Sequence, residues 1–133
     1  MSFVLSHVAL SCRSEEDSDR FYQDLLGLKK IRTFVLAADL AKSLFGLDGE
    51  CNVIDYKNDE VHFEIFLVGD TVTVGGFNHV CISVNNREDL IKRCIEGGFK
   101  FTKLPKGIDD IFLFVKDLDG NIFEVKEEDV VSE

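Results

Sequence analysis

The sequence is short of positive charge. Its 15 Lys and Arg residues stand against 25 Asp and Glu, giving a formal net charge of -10 and a pI near 4.7. A surface of that sign repels a polyanion instead of drawing it in by counterion release, so nucleic acid is not an expected partner. Long apolar runs are also missing: no uncharged stretch approaches the roughly 20 residues needed to span a bilayer, and no basic segment leading into an apolar one opens the chain. These absences predict a cytoplasmic protein without a membrane partner. There is no CxxC pair either. Cys12, Cys51, Cys81 and Cys94 lie far apart, each in or beside an apolar stretch, which predicts reduced, mostly buried thiols packing as small apolar side chains. Tryptophan is absent, and the 12 phenylalanines fall mostly in strand-like segments, so they read as core packing before they read as walls of a binding cleft.

What is present is ample for a core: 45% of the residues are hydrophobic, far from the composition of a disordered chain. At 133 residues the chain is the size of one typical domain. Within it a pattern repeats. His7-Val8-Ala9-Leu10-Ser11 recurs as His79-Val80-Cys81-Ile82-Ser83, and Phe63-Glu64-Ile65 recurs as Phe123-Glu124-Val125. Each match is weak alone, but the order is kept, and each His segment is followed by a helix-like stretch ending at a glycine, Gly27 and Gly98. The interval from His to Glu is 57 residues in the first half (7 to 64) and 45 in the second (79 to 124). The helix-like segment AADLAKSLFGLD, residues 37 to 48, supplies the 12 extra residues and has no counterpart after Phe101. A duplication with one insertion accounts for both intervals, with module 1 at about residues 1–70 and module 2 at about 76–127 of a single domain.

Pattern and punctuation predict strands at 3 to 12, 28 to 34, 51 to 57 and 61 to 68 in the first module, with a helix over 15 to 26 capped by Ser14. The second module is expected to have strands at 77 to 85, 99 to 104, 111 to 116 and 121 to 127, and a helix over 87 to 96. Asn58-Asp59 and Asp119-Gly120 read as hairpin turns, the latter because both residues tolerate positive φ. Asp117 lies near that turn, but the glycine is misplaced for an EF-hand and the closing glutamate is missing.

Alternation along a strand puts His7 on one face with Leu5 and Ala9, and His79 with Phe77 and Cys81. Glu64 and Glu124 sit mid-strand among apolar neighbours, where a carboxylate is costly unless a cation or donors compensate it. Taken singly, such residues are most simply solvated on the polar face of a half-covered sheet. Repetition changes that weighing, because two halves related by a pseudo-two-fold axis bring equivalent positions together. The expected result is a divalent-metal site of two imidazoles and two carboxylates, His7, Glu64, His79 and Glu124, suited to Zn, Ni, Co, Mn or Fe(II).

Over essentially its whole length the sequence resembles the vicinal oxygen chelate superfamily, the glyoxalase I and bleomycin-resistance group. The motifs that carry this are HVALS at His7, FYQDLLGL at Phe21 to Leu28, FEI around Glu64, FNHVCISV at Phe77, GGF at 97 to 99 and DLDGNIFEV at Asp117 to Val125. The resemblance implies an α+β fold in which two tandem βαβββ modules form a half-open barrel around the metal, and a homodimer. It places the metal ligands on the same four residues that the repeat singles out. It further implies a metal-dependent isomerase, lyase or epimerase acting on a small-molecule substrate, with Glu124 or Glu64 moving a proton next to a carbonyl. Alternatives within the same resemblance are an Fe(II) ring-cleaving dioxygenase and a non-enzymatic binding protein of the bleomycin-resistance type. In lactoylglutathione lyases that use glutathione, the residue four after the first His is usually Arg and that four after the first Glu is usually Asn. Here they are Ser11 and Val68, which argues against glutathione. Arg13, Lys29 and Arg32 are candidate contacts for an anionic substrate, and solvated surface cations on the plainer reading. His62 reads as a neighbour of the site or a solvent residue.

Overall fold

A computed structural model describes residues 1–2, 4–72 and 76–129. The chain divides into two compact units, Met1–Thr73 and Val74–Glu133. In the first, β1 (Val8–Cys12) leads into α1 (Glu15–Ser18), which continues as a π-helical segment, Asp19–Leu25. Then come β2 (Lys29–Leu36), α2 (Ala38–Phe45), β3 (Cys51–Lys57) and β4 (His62–Leu67). The second unit runs β5 (His79–Val84), α3 (Arg87–Gly97), β6 (Phe101–Lys106), β7 (Asp110–Lys116) and β8 (Ile122–Glu127).

Each unit carries one open, mixed, four-stranded sheet, with strand orders β1-β4-β3-β2 and β5-β8-β7-β6. In both, the first strand runs parallel to the last and the other pairings are antiparallel. The fold is therefore α+β, made of two tandem βαβββ modules of identical topology, with α2 as the addition in the first. The parallel pairing requires a long connection between its strands, and helix plus hairpin provide it.

Period-two alternation separates a helix-covered face from an open face in each sheet. Along β4, Phe63 and Ile65 are buried while His62, Glu64 and Phe66 are half-buried; along β8, Phe123 and Val125 are buried while Ile122 and Glu124 are half-buried. In the first module the covered face packs Tyr22 against Tyr56 and Phe63, with ring centroids 5.4 and 5.8 Å apart. Tyr56 also donates its hydroxyl hydrogen to Asp19 at 2.7 Å, and burial together with that carboxylate raises the phenol's pKa. In the second module Leu113, Val115, Phe123 and Val125 are buried, as are Leu90 and Cys94 of α3.

Local signals explain the helix ends. The Ser14 hydroxyl accepts from the Asp17 amide at 3.3 Å, and Asn86 caps α3 by accepting from the Asp89 amide at 2.9 Å. Gly98 closes α3 at φ 75°, a left-handed conformation that a side chain would strain.

Several boundaries differ from those expected. The first strand begins at Val8, leaving His7 one residue before it, and Phe3 lies outside the described residues. β5 begins at His79, and Phe77 precedes it, exposed. The β7–β8 connection is not a two-residue turn with positive φ at both positions: only Gly120 is left-handed, at φ 95°. Asp117 organises it instead, its carboxylate accepting from the Asp119 and Asn121 amides at 2.9 and 2.8 Å and from the Asn121 side chain at 2.7 Å.

Candidate metal centre

Register places the two glutamates at equivalent points. Ala9 is paired with Glu64 across β1–β4, and Cys81 is paired with Glu124 across β5–β8. In each module the histidine is two residues before the residue paired with the glutamate, on the open face. His7 Nε2 lies 3.7 Å from Glu64 Oε2, and His79 Nε2 lies 3.2 Å from Glu124 Oε1. Adjacent ligands of an octahedral ion, each at about 2.1 Å, are roughly 3 Å apart, so each module offers one imidazole nitrogen and one carboxylate oxygen at close to ligand spacing.

The second imidazole is also oriented. His79 Nδ1 is 2.8 Å from the Phe77 carbonyl oxygen, so Nδ1 carries the hydrogen and donates it, which leaves the Nε2 lone pair facing Glu124. Phe114, the residue paired with Glu124 on β7, meets the His79 ring edge-on at 5.9 Å between centroids. Beside them the Cys81 thiol is pushed up in pKa, first by burial and then by the Glu124 carboxylate, with Lys126 acting in the opposite sense. Cys81 is a thiol, not a thiolate, near neutral pH.

The open face of module 1 holds more polar chemistry than the repeat alone reveals. Asp55 is paired with Glu64 across β3–β4 and is 2% exposed. Its Oδ2 accepts from Arg32 Nε at 2.6 Å and its Oδ1 lies 3.0 Å from His62 Nε2. The His62 ring is 5.4 Å from that of His7. One potential ligand atom each from Asp55, His62 and Glu64 lie within 4.8 Å of one another. Both oxygens of Asp55 are already engaged by Arg32 and His62, so the Asp55 carboxylate serves here as an acceptor linking two cationic or donor groups.

Sequence reasoning misses Asp55 as a site residue, although a charged residue in the middle of CNVIDYK is its trace. Arg32 is not a free surface cation, since it pairs with Asp55. Arg13 pairs with the exposed Asp70 at 3.4 Å, and Lys29 is exposed. In the second module the positions of Asp55, Arg32 and His62 are taken by Phe114, Thr102 and Ile122. The two open faces are thus alike in the His–Glu pair and unlike around it.

Duplicated βαβββ modules, each with an imidazole and a carboxylate side by side on its open face, define a class of paired-module proteins that carry candidate ligands for a divalent metal. The family pattern described as Glyoxalase/Bleomycin resistance protein/Dioxygenase superfamily matches residues 4–125, and the chain belongs to that superfamily. No protein of curated function matches it in sequence. Among solved structures it is similar to the genomically encoded fosfomycin resistance protein FosX from Listeria monocytogenes, at 15% identity and a TM-score of 0.73, covering 98% of this chain and 97% of that one. It is also similar to a glyoxalase family protein from Enterococcus faecalis, at 20% identity and a TM-score of 0.69, covering 93% and 97%. A variant of the Listeria FosX complexed with Mn(II) and 1S,2S-dihydroxypropylphosphonic acid matches at 15% identity and a TM-score of 0.71, covering 98% and 94%. None of the described helices is long and apolar enough to cross a membrane.

Proposed function

We propose that the chain is a metal-dependent isomerase, lyase or epimerase, in which His7, Glu64, His79 and Glu124 hold one divalent ion and a glutamate moves a proton next to a carbonyl of a small substrate. The observation that carries this reading is the recurrence of the His–Glu pair at equivalent register positions of both modules, at spacings of 3.7 and 3.2 Å. The Mn(II) and vicinal diol bound by the Listeria FosX variant support a metal as cofactor and a small oxygen-rich molecule as ligand. When bound, such an ion acts as a Lewis acid that draws charge from a substrate oxygen.

The chain's own groups account for the rest. Glu64 and Glu124 are half-buried, with side chains 17% and 22% exposed, which keeps a carboxylate accessible to substrate while limiting competing water. The His79 tautomer is set by the Phe77 carbonyl, which leaves the Nε2 lone pair available to an ion; that coordination would keep this imidazole from competing with Glu124 for the transferred proton. The modules differ in how they treat their glutamates. Glu64 has the Asp55 carboxylate opposite it and the α2 insert nearby, with Phe45 of α2 packed edge-on against Phe66 at 5.3 Å. Glu124 is paired with Phe114, and among the described residues its module has no inserted helix after β6. We assign the moving proton to Glu124 and a holding role to Glu64.

The test is deuterium incorporation from D2O at the carbon next to the carbonyl across a set of 2-oxo and 2-hydroxy acids. Wild-type protein is expected to exchange at least one of them, and Glu124→Gln is expected to keep its metal while losing exchange. Wild-type exchange in the variant would remove Glu124 from the role, and no exchange by the metal-loaded wild type on any compound would overturn the enzymatic reading.

A further inference from the structure

A cavity of about 260 Å³ opens in the second module beside Glu124, lined among others by Arg87, Lys106, Asp110, Phe112 and Lys126. We propose that it is a subsite for an oxyanion, the carboxylate or phosphoryl group of a small substrate, held by the amines of Lys106 and Lys126.

Several of the charges in the cavity are already spent. Arg87 is committed: its guanidinium donates to Asp110 at 2.8 Å and to the Ile111 carbonyl at 3.1 Å, which neutralises Asp110 as well. Glu127 is committed too, accepting from the Arg87 amide at 2.7 Å, where the first turn of α3 favours negative charge. Glu124 is turned to His79. Among the described residues neither Lys106 nor Lys126 forms an ion pair. The lining sets three cations, Arg87, Lys106 and Lys126, against three carboxylates, Asp110, Glu124 and Glu127, so in a chain of net charge -10 it is a locally balanced patch in which two amines without an ion pair can meet an anion.

The two amines also share a face with the glutamate. Lys126 follows Glu124 by two residues along β8, so both side chains leave the sheet on the open face. Lys106 reaches the same face: its Nζ lies 5.0 Å from the centre of the Phe112 ring on the neighbouring strand. The topological equivalents in module 1 are Phe66 and Leu36, both apolar, so the amines belong to one module and are not a by-product of the duplication. At about 260 Å³ the cavity is just below the roughly 300 Å³ at which small-molecule sites begin, which suits a compact acid and not a large conjugate. Phe112 offers an apolar wall beside the charge.

This subsite gives the substrate of the proposed reaction its class, and to that extent it rests on that reading, but anion binding is measurable without metal or turnover. The experiment uses the chelator-treated 133-residue chain titrated with inorganic phosphate in one arm and acetate in the other, followed by amide chemical shifts in NMR. Shifts confined to residues 106, 110–113 and 124–127 are expected in at least one arm, and the responding arm tells phosphoryl from carboxylate. Replacing Lys106→Met and Lys126→Met together is expected to weaken that binding about tenfold or more, the loss of two charge-assisted contacts. Lys103→Met, a control on β6 whose side chain leaves the other face, is expected to leave it unchanged. No response to either anion, or binding unaffected by the double replacement, overturns the subsite. Metal content of the same samples before chelation is read separately: absence of anion binding in protein that carries metal counts against the subsite alone, and absence of metal with anion binding intact counts against the metal centre alone.

Discussion

Asp55 accepts a hydrogen bond from Arg32 at 2.6 Å, and the two residues that take their places in the second module, Phe114 and Thr102, can form no such bond. The consequence is a buried carboxylate that depends on its donors. Burial by itself would raise the Asp55 pKa, but the hydrogen bonds from Arg32 and His62 outweigh it and hold the carboxyl below the usual range. A depressed carboxyl pKa contributes stability above the unfolded value near 3.9, and that contribution is lost as pH falls through the folded value. Asp55→Asn is therefore expected to cost about 1–3 kcal/mol at pH 7, a deficit that persists down to about pH 4 and shrinks only below it, as pH falls through the folded value. Urea unfolding at pH 7 and over a series of pH values from about 4 downward measures this. Equal stability of variant and wild type at pH 7 would show that the network contributes nothing.

Cys94 titrates in the opposite direction. Burial pushes its thiol up to about 11 from an ordinary value of 9.0. The unfolded chain loses that proton near 9 while the folded chain keeps it, so stability falls as pH rises from 9 towards 11. The loss is on the order of 2–3 kcal/mol, at about 1.4 kcal/mol per unit. In Cys94→Ala the slope over that range is expected to flatten, whatever the variant's starting stability. An unchanged slope would mean that Cys94 does not carry the effect.

An aromatic contact joins the insert to β4. Phe45 of α2 and Phe66 of β4 lie 5.3 Å apart between centroids, edge to face. A double-mutant cycle with alanine at both positions should give a coupling of about 0.5–1.5 kcal/mol, and amide exchange across 38–45 should speed up in either single variant. A coupling near zero would mean that α2 is held on module 1 by other contacts.

Much of the architecture is legible in the sequence, and particular residues show why. The pattern predicts a strand over 51 to 57, and β3 occupies those residues, because an apolar run is bounded by Gly49 and by Asn58-Asp59. The Asn58 side chain confirms that turn by accepting from the Glu60 and Val61 amides, each at 2.8 Å. The extra helix is legible because the unequal intervals leave 12 residues with no place in the repeat. The role of Arg32 is not legible, for a specific reason. Pairing across β2–β3 shifts between Lys30 and Arg32, so Lys30 is paired with Tyr56 and Arg32 with Asp55. Ile31 is the extra residue of a β-bulge, and it sends two side chains that simple alternation puts on one face to opposite faces. Lys30 reaches Glu15 and Asp19 on the covered side, while Arg32 reaches Asp55 on the open side. Periodicity carries no signal for a bulge, so the partners of Asp55 and His62 appear only in three dimensions.

Exposed apolar side chains bear on assembly. Ile31, Val35, Leu44, Phe45, Ile95 and Leu104 are each half or more exposed. Scattered singly such residues need no explanation, but Ile31 and Val35 share β2, an edge strand that leaves backbone groups unpaired. A homodimer that covers such an edge is the expected state, checked by sedimentation velocity at micromolar concentration. A monomer throughout would contradict it.

Metal stoichiometry tests the proposed four-residue centre most directly. Protein purified without chelator and analysed by inductively coupled plasma mass spectrometry is expected to carry close to one divalent ion per chain, and His7→Ala and His79→Ala are each expected to abolish it. Wild-type occupancy retained in either variant, or two ions per chain in the wild type, would contradict a single centre shared by His7, Glu64, His79 and Glu124.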